Sequence, residues 1–236
     1  MTAEDDDIDH IARELRSYGR RKGRKATPRQ ATLLRELLPR VAVDLSAPSG
    51  RLPGGESEGA NRKVFLEIGF GGGEHLVWQA TQNPGVTLIG CEPFEDGVIK
   101  VLDQIEQQRL SNIRLHMGDA RDVLRWLPEA SIDRAFILFP DPWPKRKHQK
   151  RRLVNSSTLA LLARVLRRGA ELRFGTDIGD YARSALEAFR AEKRFVWLAD
   201  RPADWRIRPA DWPETRYEAK AEREGRLRYY FRFQRV

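Results

Sequence analysis

Carboxylate side chains recur where short apolar segments of this chain end. Glu92, Asp119, Asp141 and Asp177 each follow such a segment. If the segments are parallel strands, their carboxyl ends meet at one edge of a sheet, where open α/β sheets bind ligands. An acid at the second strand end can hold both hydroxyls of a ribose. An acid at the third can accept from an exocyclic adenine amine, so Glu92 and Asp119 are predicted to contact a nucleoside.

A glycine-rich turn precedes these acids in the chain. The apolar segment Val64–Ile68 runs directly into Gly-Phe-Gly-Gly-Gly-Glu at 69–74. Glycines at 69 and 71 allow a tight turn and close approach of a ligand to the backbone. A dinucleotide fingerprint would need its third glycine at position 74, where Glu74 stands and would repel a pyrophosphate. A cationic sulfonium needs no phosphate cradle, so Gly69 and Gly71 are predicted to contact S-adenosylmethionine; the alternative is a turn without a ligand.

The fourth apolar segment ends in Pro-Asp-Pro-Trp-Pro-Lys at 140–145. Prolines on both sides fix the backbone at Asp141 and leave few amides to bind its carboxylate, which can therefore face a ligand. Trp143 is placed to stack on a base. The alternative is a proline-stiffened turn in which Asp141 is only a cap.

A run of six cations within eight residues, 145–152, comes next. Such runs are usually solvated surface, but this one adjoins the expected reaction site, where phosphate contacts would position a nucleic acid. Contact with RNA is therefore favoured. The predicted RNA-binding residues are Lys147, His148, Gln149, Lys150, Arg151 and Arg152.

Composition supports a polyanionic partner. The 236 residues include 43 Lys and Arg against 34 Asp and Glu, a net charge of +9, and such an excess favours nucleic acid over a neutral small substrate. Cys91 is the single cysteine, which excludes an internal disulfide framework and a zinc site built on several thiolates. We expect no metal site. The acidic N-terminus and the absence of a long apolar run predict a cytoplasmic protein with no membrane contact.

Apolar segments alternate with helical stretches, which is the pattern of a mostly parallel α/β sheet with helices on both faces. The predicted strands are Val64–Ile68, Thr87–Cys91, Ile113–His116, Arg134–Phe139 and Glu171–Phe174. The predicted helices are about Glu74–Gln82, Glu95–Gln108, Val123–Leu127, Ser156–Leu166 and Asp180–Arg190. The segments Phe195–Leu198 and Leu227–Phe233 predict an antiparallel pair at the sheet edge, an ending typical of Rossmann-like methyltransferases.

Domain organisation follows from the same pattern. Residues 1–31 carry many cations and few large apolar residues, so they are predicted to form a flexible basic arm that orders on a partner. A short helix is expected from about Pro28 to Leu38, and the Gly-, Ser- and Pro-rich stretch Ala47–Asn61 is expected to be a loop. Residues 32–236 are expected to form a single domain.

Together these motifs resemble the bacterial tRNA (guanine-N7-)-methyltransferases, which modify guanosine 46 in the variable loop of tRNA. The resemblance begins near Leu15 and is most specific in Leu-Glu-Ile-Gly-Phe-Gly at 66–71 and Phe-Pro-Asp-Pro-Trp-Pro-Lys at 139–145. It implies the Rossmann-like class I methyltransferase fold and no requirement for a protein partner subunit. The implied cofactor contacts are Glu67, Glu92, Asp119 and Asp141. The implied substrate contacts are Lys145, Asp177, Thr215, Arg216, Tyr217 and Glu218.

The implied reaction needs no strong base, because guanine N7 is an unprotonated acceptor. Asp141 is predicted to be the principal catalytic residue, acting through orientation and electrostatics, with Asp177 and Glu218 as candidate readers of the guanine edge. Two other interpretations stay open. One is a small-molecule or protein N-methyltransferase of the same fold, and the other is a non-catalytic RNA-binding module with a vestigial nucleoside pocket.

Overall fold

The computed structural model describes residues 21–23, 25–48 and 62–236. Most of the predicted arm and of the predicted loop Ala47–Asn61 lie outside the described residues. The strands are β1 (Val64–Ile68), β2 (Thr87–Cys91), β3 (Ile113–His116), β4 (Ile132–Leu138), β5 (Leu166–Thr176), β6 (Phe195–Trp197) and β7 (Tyr229–Arg235). The α-helices are α1 (Pro28–Thr32), α2 (Leu38–Val41), α3 (Glu74–Gln82), α4 (Glu95–Gln108), α5 (Ala120–Trp126), α6 (Ser156–Val165), α7 (Gly179–Ala191), α8 (Ala203–Arg206) and α9 (Arg216–Arg223).

The strands form one sheet in the order β3-β2-β1-β4-β5-β7-β6. Strands β1 to β5 are parallel to their neighbours, whereas β7 pairs antiparallel with both β5 and β6. The predicted parallel sheet with an antiparallel C-terminal edge is therefore confirmed. Strand order reverses between β1 and β4, so the crevice expected at a topological switch point opens beyond the carboxyl ends of these two strands.

Side chains of the central strands alternate between two apolar layers, as the period of two in a strand requires. Leu66 and Ile137 pack with α5, α6 and α7 on one face. Phe65 and Phe136 pack with α3 and α4 on the other. Because both faces are covered, β1 reads as a continuous apolar run interrupted only by Glu67, which is also buried.

Helix α4 shows how sequence determines these layers. Val98, Val101, Leu102 and Ile105 recur at helical spacing and are buried against the sheet, and each fully buried aliphatic side chain contributes about 1.5–3 kcal/mol. Acidic residues occupy the first turn of α4, where they interact favourably with the helix dipole. The helix ends at Arg109, which adopts a left-handed conformation with φ 53°.

The helix predicted over Pro28–Leu38 is present and longer. A π-helical stretch, Leu33–Leu37, joins α1 to α2, so helical backbone continues to Val41. Thr27 and Gln30 form a capping box at its start, which places the predicted boundary between residues 31 and 32 inside α1. Arg29 forms ion pairs with α4, to Asp103 at 2.7 Å and to Glu106 at 2.8 Å.

Within the described ranges, none of the helices combines the length and the apolar character needed to cross a bilayer.

Candidate functional site

The glycine turn joins β1 to α3 at the predicted sheet edge. Gly69, Gly71 and Gly73 have φ values of 76°, 55° and 81°, a left-handed conformation that favours glycine. The amide of Gly69 donates to the carbonyl of Cys91 at 2.8 Å. A Cβ placed on Gly69 would meet no atom of the described chain within 4 Å, so this part of the turn borders open space.

Glu92, at the end of β2, is held directly against the glycine turn. Its Oε2 accepts from the amide of Gly71 at 2.8 Å, and its Oε1 accepts from the amide of Phe94 at 2.9 Å. The residue is 8% exposed. Burial raises the pKa of Glu92, and the nearby carboxylates of Asp141 and Glu67 act in the same direction. The structure thus brings Glu92 and the turn together as predicted.

Asp119 is the N-cap of α5, the simpler role that strand-end acids often have. Its carboxylate accepts from the amide of Arg121 at 3.0 Å and from the Nη2 of the same side chain at 2.6 Å. It lies at the edge expected for an adenine contact, and that contact stays a prediction.

Glu67 points into the protein, where it pairs with a histidine that the sequence did not single out. Its Oε2 lies 2.7 Å from His75 Nδ1, and the two side chains are 3% and 1% exposed. The other ring nitrogen of His75 lies 3.2 Å from Gln79 Nε2. This arrangement gives Glu67 a structural partner; the implied cofactor contact of Glu67 is not tested by it and stays a prediction.

The loop that carries Asp141 is strained on both sides. Phe139 and Trp143 have φ values of 49° and 42°, where a bulky side chain costs on the order of 1–3 kcal/mol. Phe139 is anchored through its amide to the carbonyl of Gly175 at 2.8 Å. Asp141 itself is exposed, and no hydrogen bond or ion pair joins its carboxylate to the described part of the chain. Its carboxylate is thus available to a ligand, as the flanking prolines predict.

Arg152, predicted as an RNA contact, has interior partners. It is 3% exposed. Its guanidinium donates to the carbonyl of Pro142 at 3.0 Å, to Ser184 Oγ at 2.8 Å and to Asp180 Oδ2 at 2.6 Å. Because its donors bind groups inside the protein, Arg152 braces the Asp141 loop against α7, and its predicted RNA contact stays a prediction.

The rest of the basic run lies nearer the surface. Most of the run forms a 3-10 helix, Arg146–Arg151. The side chains of Lys145, Lys147 and Lys150 are exposed. His148 and Arg151 are half-buried against Trp143: the Arg151 guanidinium lies 5.0 Å from the Trp143 ring centre, and the His148 ring meets it edge-on at 6.0 Å. Gln149 donates to Asp180 Oδ2 at 2.8 Å. The predicted RNA contacts of these residues remain compatible with their positions.

Two of the four residues of the segment 215–218 have partners inside the protein. Thr215 and Glu218 form a capping box at the start of α9 and are 7% and 1% exposed. Glu218 Oε2 accepts from the amide of Thr215 at 3.3 Å, and its Oε1 accepts from Tyr230 Oη at 2.5 Å. Each carboxylate oxygen of Glu218 thus has a partner inside the protein, and the substrate contacts predicted for Thr215 and Glu218 stay predictions.

The other two residues of that segment cover the glycine turn. Arg216 Nε donates to Glu74 Oε1 at 2.6 Å. A Cβ placed on Gly71 would lie 3.1 Å from the Tyr217 ring. Burial raises the pKa of Tyr217. The charge of Arg216 opposes this shift, whereas the charges of Glu92 and Asp141 add to it. The helix α9, which the sequence analysis missed, therefore brings Tyr217 over the predicted cofactor turn.

Asp177 follows β5 at the same edge. Its Oδ2 lies 2.8 Å from the Nε of Arg226, a residue between α9 and β7. The side chain of Asp177 is 17% exposed and that of Arg226 34%, so the pair faces the crevice without being sealed from water. A guanine edge would compete with Arg226 for this carboxylate.

A cavity of about 810 Å³ lies in a separate groove between α3 and α4. Gly72, Glu74 and Arg216 lie among its walls, but Glu92, Asp119 and Asp141 do not. We therefore place the reaction site at the sheet edge, where the carboxylates converge, and not in this groove. No group of three or more metal-binding side chains occurs among the residues that the structure describes.

The sheet edge fits a nucleoside cofactor that carries a positive charge. Open space borders Gly69, the carboxylate of Glu92 is fixed beside the turn, and Asp141 is exposed with no partner in the described chain. Carboxylates suit ribose hydroxyls, an amine and a sulfonium, whereas they would repel phosphate groups. Glu92 and Asp141, with Asp119 behind them, are thus the residues that would hold S-adenosylmethionine.

Comparison with known sequences shows a close match over nearly the whole chain. Residues 61–230 match the family model described as "Putative methyltransferase". A tRNA (guanine-N(7)-)-methyltransferase from Rhodopseudomonas palustris is 47% identical, over 99% of this chain and 93% of that protein. A protein of the same name from Zymomonas mobilis is 45% identical over 94% of each chain. Another from Caulobacter vibrioides is 50% identical over 87% of this chain and 89% of that protein.

Comparison with solved structures supports the fold. An aminoglycoside resistance methyltransferase superposes with a TM-score of 0.50 at 19% identity, over 74% of this chain and 88% of the other. TrmN from Thermus thermophilus gives a TM-score of 0.51 at 16% identity, over 74% of this chain and 44% of the other. The architecture is that of the class I methyltransferases, which confirms the predicted fold class.

Proposed function

This chain belongs to the bacterial tRNA (guanine-N7-)-methyltransferase family, and from that premise we propose that it transfers the methyl group of S-adenosylmethionine to N7 of guanosine 46 in the variable loop of tRNA. The observation that carries the proposal is the placement of two carboxylates at one sheet edge. Glu92 is fixed beside the glycine turn, and Asp141 is exposed with no partner in the described chain.

S-adenosylmethionine, when bound, supplies an electrophilic methyl group. Guanine N7 has a free lone pair and carries no proton, so the protein does not need a general base at this atom. Catalysis by the chain's own residues then consists of holding the guanine in line and of favouring the positive charge that develops on the purine.

Asp141 is the residue placed for that task. Its carboxylate sits on a strained loop braced by Arg152 and anchored at Phe139, so the backbone that carries it is held in place before substrate arrives. A fixed negative charge stabilises a developing cation without reorganisation. Asp177, at the next strand end, is proposed to accept from the N1–H and amino group of guanine, a donor pair that adenine lacks, and Glu218 is the alternative.

Phosphate contacts would position the tRNA beside these acids. Lys145, Lys147 and Lys150 are exposed directly after the Asp141 loop, where lysines can neutralise backbone charge. Arg216 and Tyr217 cover the glycine turn and are proposed to contact the substrate from the opposite side. We further propose that the protein works in the cytoplasm and without a partner subunit.

Methyl transfer to tRNA transcripts tests the function directly. Purified protein is incubated with methyl-labelled S-adenosylmethionine and either an unmodified transcript or one carrying 7-deazaguanosine, which lacks N7. Label at guanosine 46 of the first transcript only, mapped by strand scission specific to 7-methylguanine, is the expected result. Cofactor binding without incorporation would favour a small-molecule or protein substrate, and no cofactor binding would favour the RNA-binding module.

A further inference from the structure

A small arginine-lined cleft lies at the same sheet edge, and of its residues only Arg226 belongs to the site described above. Arg206, Arg226, Leu227, Arg228 and Tyr229 line it, and its volume is about 130 Å³. Strand β7 is antiparallel to β5, and Tyr229 pairs with Thr176. The cleft is therefore next to the carboxyl end of β5, where Asp177 follows.

Two of the three arginines, Arg206 and Arg228, are held loosely, whereas Arg226 pairs with both Asp177 and Glu224. The guanidinium of Arg206 lies 4.6 Å from the Trp205 ring centre, and no ion pair joins it to the residues that the structure describes. Arg228 Nη1 lies 3.0 Å from Glu222 Oε2, where Glu222 is 61% exposed. Exposed pairs of this kind contribute about 0–1 kcal/mol, so an incoming anion can replace the glutamate at little cost.

Apolar surface accompanies these charges. Leu227 and Ile207 are 68% and 67% exposed. Trp205 stacks on Tyr229 with ring centres 6.0 Å apart and an angle of 10°. Cations interleaved with aromatic and aliphatic side chains are typical of grooves that bind single-stranded nucleic acid.

The cleft and the basic run flank one short segment, 177–180. On one side, Arg226 of the cleft pairs with Asp177 at 2.8 Å. On the other, Gln149 of the basic run donates to Asp180 at 2.8 Å. Two positive surfaces thus contact the same four-residue segment, which begins with the acid that we propose reads guanine.

We propose that this cleft binds a backbone phosphate of the tRNA strand that carries the target guanosine. The inference rests on the proposed function, because it takes tRNA as the ligand. A volume of about 130 Å³ is below the roughly 300 Å³ at which pockets for larger ligands begin, so it suits a single phosphate and not a base. With the basic run on the other side, the strand would be held at two points, and the guanosine between them would face Asp177.

The test uses two cleft variants, Arg206→Gln and the double variant Arg206→Gln/Arg228→Gln. Arg190→Gln is the control for both. Arg190 is exposed near the C-terminal end of α7, at the opposite edge of the sheet, so its replacement removes the same charge far from the cleft. Binding of unmodified tRNA is measured from 50 to 200 mM salt. The slope of log affinity against log salt should fall by about 0.9 for Arg206→Gln and roughly twice that for the double variant, with no change for Arg190→Gln.

Two further measurements distinguish failure of the phosphate site from failure of the proposed function. S-adenosylmethionine affinity and melting temperature should match the wild type, which shows that the variants fold. At saturating tRNA the methylation rate should stay within about threefold, because the loss is one of binding. Equal slopes for Arg206→Gln and Arg190→Gln overturn the phosphate site even if the wild type methylates guanosine 46. A reduced slope in a protein that methylates no tRNA leaves the site standing and overturns the proposed function.

Discussion

Arg152 donates a hydrogen bond from its Nε to the carbonyl oxygen of Pro142 at 3.0 Å, and this bond ties the last residue of the basic run to the loop that carries Asp141. The same guanidinium reaches Asp180 and Ser184 on α7 and lies 4.9 Å from the ring centre of Tyr181. One buried cation thus fixes the reaction loop to a helix of the core.

Arg152→Gln should therefore lower stability, whereas Lys150→Gln, in the same run, should lower RNA affinity. Loss of charged hydrogen bonds around Arg152 should cost about 2–3 kcal/mol, measured by urea unfolding. Lys150 is exposed, so its replacement should leave stability unchanged and reduce the salt slope of tRNA binding by about 0.9. The reverse pattern would show that Arg152 contacts RNA and that its interior bonds contribute little.

Gly69→Ala and Gly169→Ala form a matched pair. Both glycines have positive φ, 76° and 83°, and a Cβ at either would meet no described atom within 4 Å. Left-handed backbone costs an L-residue on the order of 1–2 kcal/mol, so both variants should lose similar stability. The methyl group at Gly69 would enter the proposed cofactor space, and calorimetry should show at least tenfold weaker S-adenosylmethionine binding for that variant alone. Equal affinity in the two variants would move the cofactor away from Gly69.

The buried pair of Glu67 and His75 should be energetically coupled. Replacing either residue with Gln leaves the other buried without its partner, at roughly 1–3 kcal/mol. The double variant Glu67→Gln/His75→Gln should lose less stability than the two single variants lose together. The expected difference in unfolding free energy is about 0.5–3 kcal/mol. If unfolding free energies are additive and Glu67→Gln weakens only cofactor binding, then the cofactor contact implied by the resemblance is the main role of Glu67.

The protonation of Glu92 should make stability depend on pH. Burial raises the folded-state pKa of this acid above its ordinary value, against the opposing hydrogen bonds from the amides of Phe94 and Gly71. Its contribution to stability is then complete below the unfolded-state pKa and is lost as pH rises through the folded-state pKa.

The free energy of unfolding of Glu92→Gln should therefore rise relative to the wild type between pH 4 and pH 7, in the absence of cofactor. Glu129→Gln, at an exposed position, is the reference for loss of one carboxylate. If the unfolding free energy of Glu92→Gln instead falls relative to the wild type as pH rises, then the amide hydrogen bonds affect the pKa of Glu92 more than burial does.

Most of the sheet could be predicted because both of its faces are covered. Strands β1, β2 and β3 have the predicted bounds, since continuous apolar runs between turns leave little choice. Strand β5 begins five residues earlier than predicted, at Leu166. Its first residues include two arginines and a glycine, which local patterning does not mark as strand, and it is pairing with β4 at Ile132 that makes them extended.

The site was less predictable where polar residues turned out to be buried. The spacing of Thr215 and Glu218 is that of a capping box, a signal present in the sequence, but their burial depends on Tyr230 from a later strand. The role of Arg152 depends on Asp180, 28 residues away. The strand-end acids were predictable because sheet topology alone brings them to one edge.

The most direct test of this account is single-turnover methyl transfer by Asp141→Asn on a transcript with guanosine 46, with Glu129→Gln as the control. Asparagine keeps the shape of the side chain and removes the charge. The expected rate for Asp141→Asn is at least about a hundredfold lower, as for loss of one electrostatic group in a preorganised site. Its tRNA affinity should stay within about threefold of the wild type, and Glu129→Gln should be unchanged. Equal rates for the two variants, or a loss of tRNA affinity alone, would contradict the catalytic role of Asp141.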